Sequence, residues 1–83
     1  MGWEPEPSII RLIRNLALQN AMLYEGEGKV GSVMGRIMGT LPELRSHAKD
    51  LGALIGRHVN EANALAKSEG ISHVRSLLEE QAP

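Results

Sequence analysis

The 83-residue chain contains no cysteine and no phenylalanine, with one tryptophan (Trp3) and one tyrosine (Tyr24). Without cysteine there is no disulfide and no thiolate metal site, a usage that fits a reducing compartment. Without aromatics the core must come from Leu, Ile, Val, Met and Ala. That set suits packed helices better than sheets, which favour β-branched and aromatic side chains. No apolar run approaches the roughly 20 residues that span a bilayer. The opening MGWEPEP is acidic and broken by prolines, so it reads as neither a signal nor a transit peptide. A chain of this length is one small domain, which buries only about 60% of its unfolded surface and is modestly stable.

Reactive constellations are lacking too. His47, His58 and His73 have no HxxxH or HExxH spacing, so no metal site is expected. His58 falls within an apolar helical arc and reads as a packed or edge histidine. No Ser/His/Asp arrangement or paired carboxylates stand out. Gly26-x-Gly28-x-x-Gly31 matches the dinucleotide pattern, but that motif works only after a β-strand, and here it follows a helix. There is no GxxxxGK[ST] loop. The domain is expected to be non-catalytic and to hold no cofactor.

What is present is helical punctuation. Residues 1–7 read as a disordered lead, 8–80 as a single helical domain and 81–83 as a tail. The prolines delay helix until Ser8, an apt N-cap. The first helix runs to about Tyr24, with Ile9, Leu12, Ile13, Leu16, Ala17, Leu23 and Tyr24 on one apolar arc and Arg11 and Arg14 pointing away. Glu25-Gly26-Glu27-Gly28 breaks the chain. A second helix, from about Val30 to Met38, directs Val30, Val33, Met34, Ile37 and Met38 inward. Gly39-Thr40-Leu41-Pro42-Glu43 then joins a terminal glycine to a Thr-x-x-Glu cap and a first-turn proline. A short helix from Pro42 to about Leu51 follows, with a break expected at Gly52. A helix from Ala53 to about Lys67 ends at Gly70, and Ser72 caps a last one to about Glu80. The expected fold is all-α, a small bundle of four to five short helices.

The most informative segment is Ala17–Gly39. Gly31, Gly35 and Gly39 recur every four residues and form one strip, although each glycine in a helix costs about 1 kcal/mol relative to alanine. Such a strip either lets another helix pack closely or bares backbone to a ligand, here beside Lys29 and Arg36. Close packing is the favoured reading. Asn20 falls inside the apolar arc, where an unpaired amide is costly. Structurally it would bond the backbone of the Glu25–Val30 turn; functionally it would meet a ligand between the first two helices. The first reading is preferred, since buried polar groups are usually paired internally. Charge adds a mild bias. Between Ser8 and Asn60 stand seven basic residues (Arg11, Arg14, Lys29, Arg36, Arg45, Lys49, Arg57) against four acidic ones, and the remaining acids sit towards the ends. A basic body with acidic ends is compatible with a polyanion partner and equally with none.

In order and spacing, these elements resemble the N-terminal region of archaeal-type glutamyl-tRNA synthetases. The features that carry the resemblance are Ala17, Leu18, Asn20 and Ala21, then Gly31, Val33, Gly35 and Gly39, then Pro42, Glu43, Leu44 and Arg45. It extends more loosely through Ala48-Lys49, Val59-Asn60 and Leu77–Glu80, covering about residues 8 to 80. A related module looks similar in glutaminyl-tRNA synthetases and in the tail of the amidotransferase B subunit. The family's turn usually opens Gly-Lys; here Glu27 follows Gly26 and the lysine stands at Lys29. The His-Ile-Gly-His-like and Lys-Met-Ser-Lys-Ser-like motifs of class I synthetases are absent. The resemblance therefore implies an appended domain of a cytoplasmic ligase, which joins glutamate to tRNA using ATP and magnesium in a separate catalytic domain. The implied partner is glutamate-specific tRNA, with Lys29, Arg36, Arg45 and Lys49 as contact candidates and no membrane. The alternative is a protein-interaction module that docks the synthetase onto another translation component, through Leu18 and Met22.

Overall fold

Pro7 opens the first helix, α1 (Pro7–Leu23), in a computed structural model that describes residues 3–80. Glu6 is the N-cap, where Ser8 was expected. Proline suits this first position because its missing N–H has no helical partner there and its φ is already helical. Residues 1–2 of the expected lead and the expected tail 81–83 lie outside the described residues. Trp3, within the expected lead, stacks on His47 with ring centroids 4.2 Å apart. Helix α2 (Val30–Thr40) and a 3₁₀ helix (Pro42–His47) lead into α3 (Ala48–Glu69) and α4 (Ile71–Glu80). The fold is an all-α bundle of four helices. No helix among the described residues is long and apolar enough to cross a membrane.

Helices α1 and α3 share the largest interface; α4 packs on both, and so does α2. Helix α3 buries Leu51, Ile55, Val59, Ala62 and Ala66, a stripe at intervals of three and four. Helix α1 answers with Ile13, Ala17, Leu18 and Ala21. Val33, Ile37, Leu44 and Val74 complete the core. The buried alanines remove side-chain bulk from the two principal helices and let them approach.

That interface corrects the phase expected for α1. Leu23 and Tyr24, expected inward, are exposed, Leu23 at 71%, and so is Val30 at the start of α2. Leu18, offered above as a docking residue, is buried at 3%, and Met22 packs on the core. Ile13 and Ala17 of the expected arc are buried, and Leu18 and Ala21 join them. Leu18 is therefore unavailable to a partner.

The chain between Gly39 and Gly70 differs as well. Gly39 lies inside α2, and no side chain caps the 3₁₀ helix, so the expected Thr40–Glu43 capping box does not form. Gly52 does not break α3. A Cβ there would stand 3.2 Å from Met34 Cε, so the small residue lets α2 lie close to α3. Gly70 does terminate α3, at φ 92° and ψ 163°, a region essentially reserved for glycine.

The glycine strip of α2 has no packing role within this chain. Gly31, Gly35 and Gly39 are exposed, and a Cβ built on any of them meets nothing within 4 Å. At about 100° per residue, Gly35 stands opposite the buried pair Val33 and Ile37. Helix α2 turns these glycines outward; its close approach to a neighbour is made by Gly52 of α3. Gly35→Ala is therefore expected to stabilise the fold by about 0.5–1 kcal/mol. Thermal and urea unfolding check this, and a lower midpoint would contradict the outward placement.

Candidate functional site

The segment between α1 and α2 is fixed by two asparagines. Helix α1 ends with the Gly26 N–H bonded to Ala21 O at 2.8 Å and the Glu25 N–H to Met22 O at 3.4 Å. This is a Schellman closure, with Glu25 at φ 51° in the left-handed position that glycine usually fills. Two residues on, Asn63 of α3 reaches across. Its Oδ1 accepts the Gly28 N–H at 2.9 Å, and its Nδ2 donates to Gly28 O at 3.0 Å. Asn20 of α1 accepts the Lys29 N–H through Oδ1 at 2.7 Å.

Gly28 lies deepest in this clamp. A Cβ there would fall 2.8 Å from Asn20 Oδ1 and 3.0 Å from Asn63 Oδ1, so no larger residue fits without displacing an amide. Gly26, at φ 86°, packs on the Lys67 side chain. The Lys67–Glu27 ion pair at 3.2 Å is exposed on both sides and adds little. Asn63 was not singled out from sequence. The available signal was weak: an amide, poor in a helix interior, directly beside the buried Ala62.

The four expected contact cations lie outside this clamp, on exposed positions. Lys29 immediately precedes α2 and Arg36 lies two turns along it; Arg45 is on the 3₁₀ helix and Lys49 on the first turn of α3. None of them lines the clefts of about 260–730 Å³ described among these residues. The widest, about 730 Å³, is edged by Glu4, Glu6 and Glu43 below the Trp3–His47 stack and is unsuited to a polyanion. His58 lies half-buried at the edge of α3, in a cleft of about 260 Å³ shared with Arg14 and Glu61. Burial holds its pKa below 6.5; Glu61 opposes that shift, while Arg57 and Arg14 reinforce it. Among the described residues no three His, Asp or Glu side chains are grouped to hold a metal ion.

No family model matches the chain, and no solved structure matches it. Curated relatives do. It is 38% identical over 73 residues to the glutamate–tRNA ligase of Aeropyrum pernix, covering 88% of this chain and 12% of that protein. With the ligase of Methanothrix thermoacetophila the identity is 36% over 72 residues, 87% of this chain and 13% of the relative. With that of Methanobrevibacter smithii it is 42% over 53 residues, 64% and 10%. Over most of its length the chain is thus similar to a small part of each archaeal ligase, as an appended domain is.

Two outcomes follow from this geometry. Asn63→Ala leaves both polar groups of Gly28 without their partner and is expected to cost about 1–3 kcal/mol. Amide exchange should accelerate first at Gly28 and Lys29; unchanged protection there would refute the clamp. His58 supplies a pH dependence. Its folded pKa lies below the unfolded 6.5, so the unfolded chain binds more protons in that window. The stability it contributes is complete above 6.5 and is lost as pH falls from there through the folded pKa. Relative to His58→Gln, the unaltered chain should lose stability as pH falls below about 6.5. A constant difference between the two denaturation curves would contradict the shift.

Proposed function

We propose that this chain is a non-catalytic helical module of a glutamate–tRNA ligase and supports tRNA binding through contacts to the phosphate backbone. The observation that carries this reading is the match of nearly the whole chain to about one-eighth of the ligases' length. In this reading the ATP- and magnesium-dependent joining of glutamate to tRNA belongs to the remainder of a cytoplasmic enzyme. The absence of class I nucleotide-binding motifs from these residues agrees with that division. Lys29, Arg36, Arg45 and Lys49 are exposed and make no ion pair among the described residues, so a phosphate would not have to displace an internal partner.

A second reading rests on exposed apolar residues beside the clamped turn. Leu23, Tyr24 and Val30 are large and exposed there, and they would serve docking to another translation protein. Salt separates the two. Titration of glutamate-specific tRNA into the chain is expected to show binding near 50 mM salt. Affinity should weaken on the order of a hundredfold by about 200 mM if four phosphates are contacted. No binding at the lower salt refutes the tRNA reading, and a partner retained at high salt favours the apolar one.

A further inference from the structure

We infer that the cleft between the start of α1 and the 3₁₀ helix, bordered by residues 3–6, is a docking groove for a basic, apolar peptide segment of a partner protein. The inference is independent of the tRNA reading and uses a different face from Leu23, Tyr24 and Val30. Local geometry builds the groove. In a 3₁₀ helix, side chains three apart stand in line, so Leu44 and His47 share one side while Arg45 falls on another. Leu41, just before that helix, continues the line, and Ile9 and Leu12, also three apart, meet it from α1. Ile9, Leu12 and Leu41 pack on the core yet keep part of their surface open. The space between is about 730 Å³, a size typical of ligand sites, which run from about 300 to 1,000 Å³. One wall is the Trp3 ring, stacked on His47 at an interplanar angle of 5°.

Charge complementarity selects the occupant. The acidic side chains that line the groove are Glu4, Glu6 and Glu43, and His47 is its one further titratable group. No lysine or arginine lines it, whereas the other described grooves each mix both signs. An apolar floor under a rim of one sign repels an RNA strand. It fits a segment in which arginine or lysine alternates with large aliphatic side chains. The aliphatic groups cover Ile9, Leu12 and Leu41, and the cations reach the carboxylates. Tryptophan adds the best aromatic surface for a cation, and buried aromatic anchors carry much of the energy of protein docking. A lone metal ion would leave the floor uncovered, and among the described residues no three His, Asp or Glu side chains are grouped to hold one.

The probe is a short blocked peptide of alternating arginine and leucine, and the reporter is Trp3, the chain's only tryptophan. Its addition is expected to change Trp3 emission saturably and to shift the amide resonances of residues 41–47, while those of Leu23, Tyr24 and Val30 stay still. A glutamate–leucine peptide should not bind. An arginine–serine peptide, which lacks the apolar groups, should bind at least about tenfold more weakly, and so should the arginine–leucine peptide to the triple variant Glu4→Gln, Glu6→Gln, Glu43→Gln. That variant is expected to fold, because Glu6 caps α1 without a side-chain hydrogen bond and all three carboxylates are exposed; an unchanged thermal midpoint checks it. Failure of the arginine–leucine peptide to bind, saturation without a change at Trp3, or equal binding by the variant or by the arginine–serine peptide overturns the proposal. So does Trp3 emission that varies with the concentration of the chain alone, which assigns the groove to a second copy.

Discussion

The peptide of Gly28 is where this fold commits itself. A single amide, Asn63 of α3, takes both its N–H and its C=O, and Asn20 of α1 takes the next N–H at Lys29. The start of α2 is thereby referred to the two helices with the largest shared interface. Without it, α2 would enter through an open turn and could slide or rotate against α3. With it, Val33 and Ile37 face the core and Met34 meets Gly52. Each amide bond is worth only about 0.5–1.5 kcal/mol net. In a domain whose whole stability is a few kcal/mol, three such bonds at one turn carry weight.

The same clamp bears on function through position. Fixing α2 sets where Lys29 and Arg36 stand. Neither makes an ion pair among the described residues, while Glu4, Glu6 and Glu43 edge the cleft below the Trp3–His47 stack. The His58 cleft is a tertiary feature: Arg14, far away in sequence, acts on His58 together with its chain neighbour Arg57.

How much was legible in the sequence varied with the range of the interaction. Helix content, the break at Glu25–Gly28 and the stop at Gly70 depend on neighbours in the chain, and local chemistry revealed them. The phase of α1 depends on what it packs against: Ile13 and Ala17 were legible as inward, while Leu23 and Tyr24 misled and Leu18 and Ala21 were missed. Gly52 read as a break because its reason, the Met34 side chain of another helix, is not local. The glycines of α2 stood out correctly as unusual, but their direction follows from the side α2 buries. The pairing of Asn63 with Gly28 was invisible for the same reason: it joins α3 to a turn distant in sequence.

The glycine strip also shows what kind of helix α2 is. Three glycines in eleven residues, each costing up to about 1 kcal/mol, make this segment a poor helix by propensity. An isolated helix of that length would be marginal even with favourable residues. Its helical state therefore comes from restraint: the asparagine clamp at its start, Val33 and Ile37 in the core, Met34 against Gly52, and the Leu41–Pro42 turn at its end. Such a helix has little intrinsic tendency to re-form once a restraint is lost. Opening at Gly28 should then spread along α2 before it reaches α1, α3 or α4, which keep their shared interface. The helix whose glycines face solvent is also the one held at its start by two side-chain amides.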